Sequence, residues 1–200
     1  MGESDNALMM ERKNGMKTHF QKQRLLPAAK SVKDFEKLLE SSYEYIVMLD
    51  CHLAQLPPLM RLAHQHQKKV ILHVDLIQGL KNDEYAAEFL CQMVKPAGLI
   101  STRTPVVQVA KKRKIIAIQR VFLLDTHALE TSYRLLQLSQ PDYIEVLPGI
   151  IPHVIKEVAE ITKIPILAGG LIRTKQELES ALEAGAVAIT SSNKKLWHIK

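Results

Sequence analysis

The chain has 200 residues, a formal net charge of +6, 46% hydrophobic residues and 24% charged residues. These values fit one soluble globular domain and exclude a disordered chain. The longest apolar stretches are only a few residues long, which excludes a membrane-spanning helix. The positive charge is compatible with an anionic partner, either a phosphorylated metabolite or a nucleic acid.

The cysteine content and the N-terminus bear on the cellular compartment. Cys51 and Cys91 stand far apart in the sequence, and no secretory signal opens the chain. Both observations favour a cytoplasmic protein without disulfides. Residues 1–22 have clustered charges, several methionines and no hydrophobic period. We expect a poorly ordered extension there and a single domain over residues 23–200.

From Arg24 onward, short apolar runs alternate with stretches of helical periodicity. The eight runs are Leu25–Ala29, Tyr45–Asp50, Lys69–Asp75, Gly98–Thr102, Ile115–Phe122, Tyr143–Pro148, Pro165–Gly170 and Ala186–Ser191. The intervening stretches place apolar residues three and four apart, as an amphipathic helix does. Thr174 with Glu177 has the spacing of a capping box, and Asn82 and Thr126 are candidate N-caps.

This alternation predicts a parallel sheet, because parallel neighbours need a crossover helix. Eight strand–helix units close most economically into a small TIM-type (β/α)8 barrel. A doubly wound open sheet is the alternative, but Pro27–Ser31 follows the first strand where a glycine-rich dinucleotide turn is expected. The chain is short for a barrel, so we expect some helices to be stunted, including the last one over residues 194–198.

The last two predicted strands end in residues suited to binding phosphate. The seventh ends in Gly169 and Gly170, which allow backbone N–H groups to approach an anion. The eighth ends in Ser191 and Ser192 before a short helix, whose N-terminus would offer further donors. Many barrels bind phosphate with these two loops, and their combination therefore predicts a phosphate site.

The other predicted strand ends are also polar, on the face where barrels carry their sites. We expect ligand contacts from Asp50, His73, Asp75, Arg103, Arg120, Glu145 and Arg173. His73 and Asp75, two apart, would share one face of a strand. A structural alternative stays open, in which Arg120 and Glu145 form a buried ion pair and His73 is a satisfied core histidine.

Catalysis has weaker support in the sequence. Lys30 and the carboxylates are candidate acid–base groups, yet nothing marks a nucleophile. The eight histidines show no metal-ligand spacing, and we expect neither a metal nor a cofactor. The residues alone therefore leave two readings open, a sensor of a phosphorylated ligand and a phosphosugar-processing isomerase, synthase or aldolase.

Several motifs resemble those of one known family. They are Val74–Gly79, Asp83–Tyr85, Ile100–Arg103, Ile116–Arg120, Phe122–Asp125, Asp142–Pro152, Ala168–Thr174, Ala184–Ala186, Ser191–Ser192 and Leu196–Trp197. From about Leu25 onward the chain resembles the glycerol uptake operon antiterminator regulatory proteins, also described as glycerol-3-phosphate-responsive antiterminators. The resemblance implies a bacterial regulator without catalytic activity. Such a regulator binds glycerol 3-phosphate and acts on the leader mRNA of glycerol-utilisation genes, preventing termination.

The densest basic run is a candidate RNA contact. It comprises Lys111, Lys112, Arg113 and Lys114. The run precedes a strand, so we expect it on the N-terminal face of the barrel, opposite the phosphate loops. Basic residues at a helix C-terminus also complement the helix dipole, which is the structural alternative. The arginines around the mouth are a second candidate surface for RNA.

Overall fold

Eight parallel strands alternate with helices in the computed structural model, which describes residues 19, 20 and 22–198. The strands are β1 (Leu25–Ala29), β2 (Tyr45–Met48), β3 (Lys69–His73), β4 (Gly98–Ser101), β5 (Ile116–Phe122), β6 (Tyr143–Leu147), β7 (Ile166–Gly169) and β8 (Ala186–Ser191). They close in the order β1-β8-β7-β6-β5-β4-β3-β2, with β1 paired to both β2 and β8. The predicted TIM-type barrel is therefore confirmed, and the open sheet is excluded.

Seven α-helices surround the barrel in the described part of the chain. They are α1 (Val32–Leu39), α2 (Leu56–Gln65), α3 (Glu84–Phe89), α4 (Thr104–Lys112), α5 (Thr126–Ser139), α6 (Pro152–Thr162) and α7 (Lys175–Glu183). Short 3-10 helices lie at Leu53–Gln55, Val74–Leu76 and Leu196–His198, and a π-helical turn at Leu90–Val94 follows α3. No helix over these residues combines the length and the apolarity that a bilayer crossing requires.

Of the three helix N-caps predicted from the sequence, the structure confirms one and corrects two. Thr174 and Glu177 form the predicted capping box at the start of α7. Asp83 caps α3 and Asp125 caps α5, each accepting a hydrogen bond from the backbone amide three residues later. The predictions of Asn82 and Thr126 are thus wrong by one residue. In each case the neighbouring aspartate is an equally good or better N-cap acceptor.

Side chains alternate between the two faces of each strand, and this alternation divides the core into two layers. In β3, Ile71 belongs to a cluster inside the barrel, whereas Val70 and Leu72 pack with the residues that face the helices. The same period of two runs through the other strands. It determines which polar residues near the strand ends project into the barrel and which project outward.

The floor of the barrel corrects the predicted N-terminal boundary. Phe20 is 1% exposed, and its ring lies 5.1 Å from that of Tyr45 and 4.8 Å from that of Tyr143. The backbone amide of His19 donates to the Tyr143 hydroxyl at 2.9 Å. Phe20 therefore fills the end of the barrel, and the packed domain begins before residue 23. Of the extension predicted over residues 1–22, residues 1–18 and residue 21 lie outside the described residues.

Candidate functional site

Two glycines at the end of β7 lie at one edge of the barrel mouth, which is formed by the carboxyl ends of the strands. β7 and β8 are hydrogen-bonded neighbours, with Gly169 opposite Thr190. Gly170 has a φ of +74°, a conformation that favours glycine. The amide of Gly149, in the loop after β6, donates to the Gly169 carbonyl at 2.6 Å. The loops after β6 and β7 are thereby held together beside the end of β8.

The loop after β8 is held by its own side chains. The Ser191 hydroxyl accepts a hydrogen bond from the amide of Asn193 at 3.1 Å, and the Ser191 carbonyl accepts one from Trp197 Nε1 at 2.9 Å. Asn193 Nδ2 donates to the carbonyl of Arg173 at 3.1 Å, which connects this loop to the one after β7. Ser192 is half-buried between these contacts. The two loops predicted to bind phosphate therefore form one continuous edge of the mouth.

The helix after β8 is stunted, as predicted. Residues 194–198 contain only the three-residue 3-10 helix Leu196–His198. One such turn has too few aligned peptides for an appreciable macrodipole. An anion at this edge would therefore meet loop N–H groups and hydroxyls, because the predicted helix is reduced to this single turn.

A layer of polar side chains fills the barrel interior just below the mouth. We call His73, Arg120, Glu145 and Thr190 the polar layer. Arg120 Nε lies 2.6 Å from Glu145 Oε2, and the Thr190 hydroxyl donates to Glu145 Oε1 at 2.5 Å. The Glu145 side chain is 1% exposed and the Arg120 side chain 12%. The structural alternative of a buried Arg120–Glu145 pair is thus correct, and the pair lies inside the barrel next to Gly169.

His73 is the least satisfied member of the polar layer. It is 2% exposed, and neither ring nitrogen has a hydrogen-bond partner among the described residues. Burial and, to a smaller extent, the charge of Arg120 lower the pKa of His73 to about 4, against opposing effects of Glu145 and Asp75. The imidazole is therefore neutral at pH 7. Nothing among the described residues satisfies its hydrogen-bonding groups, so these residues do not support the alternative of a satisfied core histidine.

Asp75 holds the loop after β4. It lies in the 3-10 turn Val74–Leu76 after β3 has ended at His73, so the two residues do not share a strand face as predicted. Asp75 accepts hydrogen bonds from the Ser101 hydroxyl, and from the amide (2.8 Å) and hydroxyl (2.7 Å) of Thr102. Three donors fix this carboxylate at the side of the mouth, where it orders the chain before α4.

Three other predicted ligand residues lie on the rim rather than in the polar layer. Asp50 is exposed and accepts a hydrogen bond from Gln78 Nε2 at 3.0 Å, between the two-residue strands Cys51–His52 and Ile77–Gln78. Arg103 precedes α4 and Arg173 precedes α7, and both are exposed. Within the described ranges, neither guanidinium forms an ion pair. Both are therefore available to an anion that enters the mouth.

The hydroxyls that organise the mouth were not predicted from the sequence. Thr190 bonds Glu145, and Ser101 and Thr102 bond Asp75. Thr190 has a signal in the sequence, since it follows Ala188, an interior residue, at the strand period of two. No signal in the sequence predicts the hydrogen bonds of Ser101 and Thr102 to Asp75, because these bonds depend on where the chain turns after β3.

Gly169→Ala tests how tightly the mouth is packed. An added Cβ would lie 2.4 Å from Thr190 Oγ1 and 3.2 Å from Glu145 Oε1. The threonine must then rotate and lose its bond to the carboxylate. We expect the free energy of unfolding, measured by urea denaturation, to fall by about 1 to 3 kcal/mol.

A double-mutant cycle separates this clash from a general effect of the methyl group. Thr190→Ala removes the atom that Gly169→Ala would contact. We expect the double variant to be more stable than the sum of the two single effects predicts, by roughly 1 kcal/mol. Additive effects would show that the clash is not the cause.

The basic run lies on the opposite face, at the start of β5, as predicted. Lys111 forms an ion pair with Asp142, and Arg113 Nη2 lies 2.5 Å from Glu88 Oε2. Lys112 and Lys114 are exposed. Half of the positive charge of the run is therefore already paired within the protein. Lys111 and Lys114 line a depression of about 480 Å³ beside the floor of the barrel.

The described residues provide no metal site and no activated thiol. No group of three or more His, Cys, Asp or Glu side chains that could hold a metal ion occurs between residues 22 and 198 or at residues 19 and 20. Burial raises the pKa of Cys51 and of Cys91 to about 11, so both thiols are protonated at neutral pH. Over the same residues neither is in a disulfide.

The fold and the polar mouth define a TIM-type barrel that carries polar groups at the carboxyl ends of its strands. The sequence model of the glycerol-3-phosphate responsive antiterminator family matches residues 25–197. The chain belongs to this family. The resemblance in the central motifs is thereby confirmed.

Two solved structures and one curated sequence are similar to the chain. A glycerol uptake operon antiterminator regulatory protein from Listeria monocytogenes is 46% identical, with a TM-score of 0.89 over 91% of this chain and 98% of that one. A glycerol uptake operon antiterminator-related protein from Thermotoga maritima is 26% identical, with a TM-score of 0.77 over 88% and 98%. The uncharacterized protein YgcP of Escherichia coli is 29% identical over 86% of this chain and 91% of its own length.

Proposed function

We propose that the chain is a cytoplasmic regulator that binds glycerol 3-phosphate in the barrel mouth and then binds the leader mRNA of glycerol-utilisation genes, preventing termination. The observation that carries this proposal is membership of the glycerol-3-phosphate responsive antiterminator family across the whole barrel. The mouth adds chemical support, because its groups suit a small phosphorylated polyol.

The phosphate is assigned to the edge formed by the loops after β7 and β8. Gly169 and Gly170 leave backbone N–H groups accessible to an anion, and Ser191 and Ser192 add hydroxyls. Arg173 and Arg103 on the rim carry full positive charges, which strengthen hydrogen bonds to phosphate oxygens. The hydroxyl end of the ligand would then point down toward the polar layer.

The same geometry favours a sensor over an enzyme that processes phosphosugars. Lys30 is exposed, and Asp50 is exposed and bonded to a glutamine. Asp75 already accepts three hydrogen bonds. Two of these groups are exposed and the third is engaged in holding a loop, so none is positioned as a general acid or base toward the mouth. We therefore propose that the bound ligand is a signal and is not converted, and that no cofactor takes part.

The RNA surface is assigned to the basic run on the barrel floor. Lys112 and Lys114 are exposed, and Lys111 and Arg113 are held by carboxylates that a phosphate backbone would have to displace. Aromatic residues make up only 5% of the chain, so contacts with RNA would depend mainly on charge and would weaken steeply with salt.

Glycerol 3-phosphate is expected to stabilise the protein, whereas glycerol should do so far less. At a concentration 100 times its Kd the ligand adds about 2.7 kcal/mol to the free energy of unfolding. For a domain of this size this corresponds to an increase in Tm of about 5 to 10 °C, measured by differential scanning fluorimetry. A terminator-bearing leader RNA should bind more tightly when the ligand is present, measured by fluorescence anisotropy.

Two controls make this titration decisive. Inorganic phosphate at the same ionic strength separates specific binding from a salt effect. A scrambled RNA of equal length separates leader recognition from general attraction to a basic surface. If saturating glycerol 3-phosphate changes neither the Tm nor the affinity for leader RNA, the proposal is wrong.

A further inference from the structure

The polar layer contains one side chain whose hydrogen-bonding groups are unused. Both carboxylate oxygens of Glu145 are occupied, Oε1 by Thr190 and Oε2 by Arg120. His73 is buried in the same layer, yet over the described residues Nδ1 and Nε2 have no partner. Buried polar groups without a hydrogen-bond partner are rare in proteins, because burial removes the water that would bond them and the protein supplies no replacement. The imidazole therefore has unused hydrogen-bonding capacity for a partner that these residues do not supply.

The position of His73 defines where that partner would lie. It is the last residue of β3, and Ile71, two residues earlier, packs inside the barrel. The ring of His73 consequently projects into the interior at the level of the mouth. Arg120 and Glu145 lie opposite each other on neighbouring strands and project into the same layer, and their charges act on the ring. A ligand held by the loops after β7 and β8 would extend toward this ring.

The protonation state of His73 restricts the chemical class of the partner. Burial and Arg120 lower the pKa of His73, so the ring carries no charge at neutral pH. A neutral imidazole has one N–H donor and one nitrogen acceptor. It is a poor partner for a phosphate dianion, which only accepts hydrogen bonds. An alcohol both donates and accepts, and it matches both nitrogens.

We propose that His73 is the specificity-determining residue that recognises the free hydroxyls of a phosphorylated polyol. One ring nitrogen donates to a ligand hydroxyl and the other accepts from a hydroxyl of the same ligand, while the phosphate lies against Gly169 and Gly170. This inference rests on the proposed function. It adds the residue that separates glycerol 3-phosphate from phosphate esters of the same size without hydroxyls.

Isothermal titration calorimetry on the full chain with three probes tests this role. The probes are glycerol 3-phosphate, propyl phosphate and inorganic phosphate. We expect the wild-type protein to prefer glycerol 3-phosphate over propyl phosphate by roughly 10- to 100-fold. His73→Phe should reduce this preference to about threefold or less, and should leave the affinities for propyl phosphate and inorganic phosphate within about threefold of the wild type.

Two further variants separate recognition from packing. His73→Asn keeps a donating N–H group and an accepting oxygen in a smaller side chain, and we expect it to recover part of the preference. His64→Phe changes an exposed histidine on α2, away from the mouth, and should keep the full preference. Thermal melts establish that each variant is folded.

Nitrogen NMR provides a readout that does not depend on a folded phenylalanine variant. In wild-type protein labelled with 15N-histidine, glycerol 3-phosphate should shift both ring resonances of His73, and propyl phosphate should not. An unchanged preference in folded His73→Phe, or ring resonances that respond equally to both esters, would overturn the inference alone. Wild-type protein that binds no glycerol 3-phosphate would overturn the proposed function as well.

Discussion

Replacing Arg120 by methionine is expected to lower the free energy of unfolding by about 3 to 5 kcal/mol. The Glu145 side chain is 1% exposed, and Arg120 provides its only ionic partner among the described residues. Methionine fills a similar volume without the charge, so the carboxylate would stay buried next to Thr190 and uncompensated. A buried charge that loses its partner is far more costly than a surface charge that does. Urea denaturation at pH 7 measures the loss.

Two variants show that this loss comes from the buried carboxylate. Arg113→Met removes a comparable ion pair on the outside of the barrel, where Arg113 and Glu88 are partly exposed. We expect its unfolding midpoint to stay close to that of the wild type. Adding Glu145→Gln to Arg120→Met removes the unpaired charge and should recover most of the lost stability. A double variant no more stable than Arg120→Met would show that the cause is packing and not charge.

The architecture of the chain can be predicted from its sequence because strand and helix periods are local. Each of the eight predicted apolar runs contains one barrel strand, and the predicted run Ala186–Ser191 has the same bounds as its strand in the structure. The predicted run Lys69–Asp75 extends two residues beyond β3, because the chain turns into a 3-10 helix after His73. Hydrophobicity does not mark such a change. Val74 is apolar and buried whether it lies in a strand or in a turn.

The polar groups of the mouth were predicted as a set, but not in their individual roles. Charged residues at successive strand ends indicate a polar face, since parallel strands of a barrel end on the same side. Which of them enter the barrel depends on the exact strand end. Arg120 and Glu145 project inward, whereas Asp50 lies on the rim. Phe20 was placed outside the domain because no local pattern connects it to Tyr45 and Tyr143, which it contacts only after the barrel closes.

The ligand-free protein is expected to lose stability as the pH falls from about 6.5 to about 4, because His73 resists protonation while it is buried. Burial and Arg120 lower its pKa to about 4, against opposing effects of Glu145 and Asp75. In the unfolded chain histidine titrates near 6.5. Between these values the unfolded state binds a proton that the folded state does not, so acid favours unfolding. The contribution of His73 is fully favourable above about pH 6.5 and decreases by about 3 kcal/mol on reaching pH 4.

The difference between wild type and His73→Phe isolates this contribution from the other titrating groups. Urea denaturation of both proteins at several pH values from 7 to 4 gives two stability curves. We expect the wild type to lose about 3 kcal/mol relative to the variant over this range, since phenylalanine has no proton to bind. His64→Phe, at an exposed position on α2, should give a curve parallel to the wild type. A constant difference between wild type and His73→Phe would contradict a neutral, buried imidazole. It would mean instead that the folded protein accommodates the charged ring, with Glu145 or Asp75 as the compensating carboxylate.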